Sequence, residues 1–588
     1  MSFKKRLVAL CLSAVMVASL TGCGASGTAS VNGEKAASNV PKERLETLYV
    51  TGMAWGAPDN FNWLTGYPTW PCNIQSNPLV YEMLFMFNPG NEVLEPLLGK
   101  SYTWKDDYTV EVKLNEKAKF NDGQPLTAKD VLYTFDLGKR YTVTWSSYWE
   151  NIKSIESPDD NTVVFKLNPE KYNRLAMLDA LSRVPIHPKH IWEKVEADAN
   201  REISRINEFF NEKPVGSGPY KVKFYDETRI IIERDDNYWG KELFGSLPQP
   251  KFITHLLFNS NDSASSALKN GDLDYSEDFI PSVWKLWEDG TPIKAYLPEK
   301  PYYTPDTLPM IYFNLHKKGL DNVEVRKALA YAINYPEISD KAMNGYSVVI
   351  EPSITITKNH EGQYVDEAAL KPLQWSYDIN KANEILDNLG AKKAADGIRV
   401  MPDGTRLGPW QLECPYGWTD WNASLEIVMQ SAKAVGIELQ TKFPEYPVWD
   451  NDRNTGNFDL LMDTPSAYIT PANPWKRAAD VMSSVGVKPV GEQTFSNYGR
   501  YKNARADEII NQIPQTEDKA ALKLLYTELN KIYLTDIPTI PLMYRPTYFY
   551  TVNESIWKGF AIDGNKENLP PALFDGTGIK QLYNIKSN

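Results

Sequence analysis

The chain is poor in the residues that most extracellular catalysts rely on. Its five histidines, His187, His190, His255, His316 and His360, are scattered. No HExxH pair is present to hold a catalytic zinc, and no GxSxG elbow to carry a serine nucleophile. HPKH at 187–190 has metal-like spacing, but Pro188 separates its histidines and no third ligand is near, so it reads as a structural turn. GSGPY at 216–220 lacks the lysine and hydroxyl of a phosphate loop, and a crossing of backbone segments at a domain junction fits it better. Of four cysteines, Cys11 and Cys23 lie near the N-terminus, leaving Cys72 and Cys414. With no CxxC or Cys/His cluster a cysteine zinc site is excluded, while spacing alone leaves open whether these two pair. A net charge of −12 argues against nucleic acid, whose phosphates require a basic patch. No catalytic residue, metal ligand or cofactor site is assigned. A glycosidase needs only two carboxylates and stays as an alternative, although nothing singles out a pair.

Long apolar runs are also missing, apart from Leu7 to Leu20 behind the basic start Lys4, Lys5 and Arg6. That run is short of the roughly 18 to 20 residues of a spanning helix. It ends in LTGC at 20–23, which looks like a bacterial lipobox. The expectation is a lipoprotein signal peptide over 1–22, diacylation at Cys23, and a flexible tether of small polar residues over 23–40. The mature body would then sit on the extracellular face of a bacterial membrane, held only through its lipid. A body of about 550 residues exceeds what one hydrophobic core serves, so more than one domain is expected.

The pattern along the body is α/β. Thr109 to Leu114 alternates as a strand, NDG at 121–123 turns, and Thr127 with Asp130 caps a helix whose face carries Val131, Leu132 and Phe135. TVVFKLN at 162–168 and RIIIERDDNYW at 229–239 read as strands. NVEVRKALAYAIN at 322–334 is an amphipathic helix with Val325, Ala328, Leu329, Ala332 and Ile333 inward and Asn322 as cap. Leu425, Val428, Met429, Ala432 and Val435 repeat at helical spacing before the stop at Gly436 and a further strand.

Aromatics appear where no core is expected. WGAPDNFNWLTGYPTW at 55–70 places Trp55, Phe61, Trp63, Tyr67 and Trp70 among glycine, proline and asparagine without helical or strand period. PYGWTDWN at 415–422 sets Trp418 and Trp421 just before the helix, at i−7 and i−4 from Leu425. Flat apolar rings beside amides and carboxylates suit a pyranose, whose axial hydrogens stack while its hydroxyls need donors and acceptors. Packing of the same rings as loop plugs is the competing reading.

Five segments occur in a recognisable order: KFNDGQPLTAKDVLYTFD (119–136), PVGSGPYKVKFYDETRIIIERDDNYWG (214–240), ALKNGDLDYS (267–276), YFNLHKKGLDNVEVRKALAYAIN (312–334) and IPTIPLMYR (537–545). In these the chain resembles the extracellular solute-binding protein family 5, the receptors of ABC importers for peptides, nickel and oligosaccharides. The resemblance implies a bilobal periplasmic-binding-protein-like fold of type II, three-domain cluster C, with no catalysis and a ligand cleft between lobes that close at a hinge. It places domain I at 41–75, 213–312 and 540–588, domain II at 76–212 and domain III at 313–539. Peptide-binding members carry an aspartate for the peptide α-amino group in the segment matching FDLLMDTPSAYITPANPW (458–475). Here that position falls on Tyr468, with Asp463 displaced from it. Burying an ammonium without a carboxylate is costly. The aromatic loop, GWTDW and the run from Ser466 to Trp475 instead look like the cello- and manno-oligosaccharide-binding branch. The expected wall is Trp55 and Trp63 from domain I, facing Trp418, Asp420, Trp421, Tyr468, Asn473 and Trp475 from domain III. The expected partners are an oligosaccharide, or a peptide in the alternative, and the transmembrane subunits of a permease, with the receptor itself a monomer.

Overall fold

The computed structural model describes residues 40–66, 68–73, 76–358, 360–466, 470–562 and 569–588. Cys11, Cys23, Tyr67 and Tyr468 lie outside the described residues, so the lipid anchor and the tyrosine at the aspartate position are not placed.

A seven-stranded mixed sheet is built around Thr47–Thr51, which pairs parallel with both Phe252–Leu256 and Tyr275–Ser276. Leu48 and Val50 on one face are fully buried and Thr47 and Thr51 on the other are 7 % and 2 % exposed, as expected of a parallel strand covered on both faces. Arg229–Arg234 and Tyr220–Tyr225 extend one side of this sheet. On the other, Thr551–Asn553 returns from near the chain's end to lie between Tyr275–Ser276 and Ile293–Ala295. Trp557 fastens that return by donating its indole N–H to Thr47 O at 2.9 Å.

Between the first strand and the rest of this sheet the chain forms a four-stranded antiparallel sheet in the order Gly99–Trp104, Thr109–Leu114, Thr162–Leu167, Ile152–Asp159. The helix Ala128–Arg140 lies against it, with Val131 and Phe135 fully buried. Its first turn is closed as the sequence predicts, Thr127 N–H donating to Asp130 Oδ2 at 2.9 Å. The glycines of GSGPY explain themselves here. A Cβ on Gly216 would stand 1.9 Å from Val80 O and one on Gly218 2.5 Å from Leu79 O, so the two backbones cross at a distance no side chain permits.

A five-stranded sheet follows, ordered Leu439–Lys442, Trp410–Glu413, Leu460–Asp463, Met310–Phe313, Thr539–Pro541. The helices Val323–Ala332 and Ile379–Asn388 pack together, and the former is capped by Asn322 Oδ1 accepting from Glu324 N–H at 2.9 Å. The helix Thr419–Ala434 buries Leu425, Val428 and Ala432 and stops at Gly436, whose φ is +85°. It begins earlier than the apolar stripe indicates, so Asp420 and Trp421 belong to its first turn and do not precede it. The chain passes between the seven- and five-stranded sheets twice, at 296–309 and 542–550. The two crossings are zipped by reciprocal backbone bonds, Thr307 N–H to Arg545 O at 3.0 Å and Arg545 N–H to Thr307 O at 3.1 Å. Cys72 and Cys414 are both buried and unbridged.

Candidate functional site

The loop leaving Thr47–Thr51 presents Trp55 half-buried, its ring centroid 5.6 Å from that of Trp418. Trp418 is the N-cap residue of Thr419–Ala434 and is itself half-exposed. It meets Trp421 edge-on at 4.8 Å and lies 6.0 Å from both Tyr446 and Trp449. Segments more than 350 positions apart thus form one aromatic wall. Within it Trp421 is only 2 % exposed, which the helical spacing back from Leu425 accounts for. Its indole N–H, like those of Trp449 and Trp63, has no hydrogen-bond partner among the described residues.

Asp420 is fully buried at the foot of this wall. Arg545 Nε donates to its Oδ2 at 2.7 Å, and Oδ1 is left without a partner among the described residues. Three further carboxylates in its electrostatic neighbourhood share that condition. Glu277 accepts from Tyr275 OH at 2.7 Å through Oε1, Asp278 from Ser276 OH at 3.2 Å through Oδ2, and Asp575 from Tyr548 OH. The second oxygen of each is buried and unmatched among the described residues. These groups sense one another. Burial, then the charge of Asp575 and more weakly that of Asp278, hold Glu277 well above the usual carboxylate range. Burial chiefly lifts Asp278 to about 7, with Arg545 opposing and Asp420 adding to the rise. Burial lifts Asp575 to about 6, opposed by Tyr548 and by Arg183. A buried acceptor without a donor is costly, so a row of them is a demand for a donor-rich guest.

The remaining expected residues are placed elsewhere. Trp63 is 2 % exposed in the short turn Trp63–Thr65. At the end of that turn a Cβ on Gly66 would come within 3.3 Å of the Phe495 ring. Trp475 opens the helix Trp475–Met482 and gives its indole N–H to Ile510 O at 2.8 Å, so that donor is spent inside the fold. Its ring lines a separate cleft with Tyr148 and Phe495. Asn473 Oδ1 accepts from Arg477 N–H at 3.2 Å and its Nδ2 donates to Ser466 O at 3.4 Å, bonds that brace the turn before that helix. Asp463, the carboxylate nearest the peptide-receptor position, is 4 % exposed and bound to Arg453 at 3.1 Å. Glu277, Asp278 and Asp575 were missed in the sequence because nothing marks them. DLDYSED at 272–278 is acidic but unremarkable, and Asp575 lies some 300 positions away.

The described histidine side chains do not assemble. His187 is buried against Tyr81, ring centroids 5.0 Å apart, and burial pushes it down to about 3. His190 turns outward to Asp122, 2.6 Å away. No group of three or more His, Cys, Asp or Glu is arranged for a metal among the described residues, and none of their helices is long and apolar enough to cross a membrane.

Comparison with known proteins identifies the family and the fold. Residues 93–477 match the family model of the bacterial extracellular solute-binding proteins, family 5. A periplasmic oligopeptide-binding protein of an ABC transporter from Thermotoga maritima, crystallised with mannohexaose, is 32 % identical. It superposes with a TM-score of 0.85, covering 93 % of this chain and 100 % of that one. The oligopeptide-binding protein AppA of Bacillus subtilis is 26 % identical over 580 residues, 94 % of this chain and 96 % of AppA. The structure of AppA with a nonapeptide shares the fold at a TM-score of 0.74, covering 92 % and 99 %. The bilobal α/β periplasmic-binding-protein fold is therefore that of this chain. It belongs to the bacterial extracellular solute-binding proteins of family 5, and is a non-enzymatic, ligand-capturing component of an ABC importer.

Proposed function

We propose that this receptor captures short β-linked gluco- or manno-oligosaccharides and hands them to its permease. The observation that carries this reading is the wall Trp55–Trp418–Trp421 standing on Asp420, whose Oδ1 is buried and unmatched among the described residues. Sugar rings stack on the half-exposed faces of Trp55 and Trp418, while hydroxyls donate to Asp420, Asp278 and Asp575 and accept from Glu277, which burial and the charge of Asp575 keep protonated. Arg545 and Arg183 offset part of the acidic charge, which favours a neutral guest over a cationic one. A peptide is disfavoured because Asp463 already serves Arg453. That the Thermotoga relative was crystallised with mannohexaose supports the same choice.

Capture works by rotation of the domain II side toward domain III, with domain I at 41–75, 213–312 and 540–588, domain II at 76–212 and domain III at 313–539. The hinge of the two larger parts is the zipped pair of crossings at Thr307 and Arg545. Closure contacts include Thr470 Oγ1 donating to Asp179 Oδ1 at 2.5 Å, with Tyr148 OH on Asp179 Oδ2 at 2.7 Å. Cys23 carries the lipid that tethers the receptor beside its permease. Titration of the mature protein with cellobiose, mannobiose and mannohexaose against a mixed peptide pool tests the reading. Saturable heat from a sugar supports it, and heat from peptides alone overturns it in favour of an oligopeptide receptor.

A further inference from the structure

The strand Thr47–Thr51 ends at Gly52, whose φ is +99° and where a Cβ would lie 2.8 Å from Glu277 Cβ, so the chain turns there past the carboxylate row with no room for a side chain. The next two backbone N–H groups converge on one atom. His255 Nε2 lies 3.0 Å from Met53 N and 3.1 Å from Ala54 N. His255 stands beside Val50 in the parallel register, is fully buried, and has the Trp70 ring at 5.0 Å. A nitrogen that accepts from two N–H groups carries no proton, so the imidazole is the neutral tautomer with hydrogen on Nδ1. Burial agrees, pushing its pKa down to about 3. Asn73 Nδ2 holds the same turn from the other side, donating to Met53 O at 2.7 Å. The residue after this clamp is Trp55.

We propose that His255 is a positioning residue of the ligand site: its Nε2 lone pair fixes the Gly52–Trp55 turn so that the Trp55 face stands 5.6 Å from Trp418, at the separation the wall needs. The proposal rests on the reading of Trp55 as part of the ligand wall. Without the acceptor two N–H groups lose their partner where the chain leaves the sheet, and the turn relaxes away from Trp418. The fold itself does not depend on it, since Gly52, Asn73 and the strand pairing remain.

The test compares His255→Gln, whose Oε1 reaches the place of Nε2, with His255→Leu and His255→Asn, which put no acceptor there. Each is made with and without Trp55→Phe. Calorimetry with mannohexaose reads affinity. The emission of Trp55 in the ligand-free protein, taken as the difference between each variant and its Trp55→Phe partner, reads the geometry directly. Leu and Asn are expected to weaken binding about ten-fold or more and to shift the Trp55 difference spectrum, while Gln stays within about three-fold and keeps the wild-type spectrum. On the Trp55→Phe background the Leu and Asn variants are expected to cost less than about two-fold more. An unchanged Trp55 spectrum in Leu and Asn overturns the clamp, as does an equal affinity loss with and without Trp55. If Leu does not fold, the Gln–Asn pair decides. If the wild type takes up no mannohexaose, the sugar reading fails alone, and the ligand-free spectrum still decides the clamp.

Discussion

Arg545 holds Asp420 at 2.7 Å, joining the crossing that follows strand Thr539–Pro541 to the first turn of the helix Thr419–Ala434. The guanidinium also stands 4.4 Å over the Phe549 ring and 6.0 Å from the Trp421 ring. One side chain therefore ties the second crossing to the aromatic wall. Asp420 also lies in the first turn of that helix, where the macrodipole favours negative charge.

Removing one partner of this pair strands the other. Arg545→Met is expected to destabilise the protein by about 3–5 kcal/mol, because Asp420, fully buried, would lose the guanidinium that pairs it. The double variant Arg545→Met with Asp420→Asn is expected to recover most of that loss. Urea denaturation of the wild type, Arg545→Met, Asp420→Asn and the double variant measures both, and equal stability of Arg545→Met and the double variant would contradict the pairing.

The two tryptophans of PYGWTDWN are expected to separate by role. Trp418→Ala removes a half-exposed face and should weaken sugar binding with little change in stability. Trp421→Ala empties a site that is 2 % exposed and should cost about 3–5 kcal/mol of stability. Calorimetric affinity beside the denaturation midpoint distinguishes them, and a reversed pattern would make Trp421 the stacking face.

Stability is expected to fall as pH rises from 6.5 to 8. Burial raises Glu82 to about 8 and Asp278 and Asp306 to about 7. The native state keeps these protons where the unfolded chain, with carboxyls near 4, has lost them. Their stabilising contribution is complete below about 4 and is lost as pH climbs through the folded values. His187 and His255, both held near 3, act oppositely but only below about 6.5, where unfolded histidine protonates. Denaturation midpoints at pH 6.5 and 8 read the sign, and a rise would contradict it.

The carboxylate row predicts proton release on binding. Hydroxyls that donate to Asp278 and Asp575 favour the ionised form and lower pKa values that stand at about 7 and about 6 in the free protein. At pH 6.5 binding heats should differ between buffers of unlike ionisation enthalpy in the direction of protons leaving the protein. Proton uptake would show that the row does not face the ligand.

What the sequence disclosed and what it hid divide along physical lines. Strand alternation at Thr109–Leu114, the Thr127–Asp130 cap and the apolar face from Val325 to Ile333 are local patterns, and each appears as an element in the fold. GSGPY announced a close backbone crossing because only glycine permits one. Trp55, Trp418, Asp420 and Trp421 were legible as aromatic and acidic residues in loops, and they lie together. Trp475 and Asn473 carry the same chemistry in sequence, but their polar atoms are consumed by Ile510, Arg477 and Ser466, which no spacing reveals. Glu277 and Asp575 meet only because the chain's end returns to the first sheet, a non-local event without a sequence signature.

The measurement that bears most directly on the central claim is isothermal titration of the mature wild-type protein with mannohexaose and, separately, with a nonapeptide pool at one pH and salt. The account predicts saturable sugar binding that Trp418→Ala weakens by at least ten-fold, with no heat from peptide. Saturable peptide binding with none from mannohexaose or cello-oligosaccharides would contradict it.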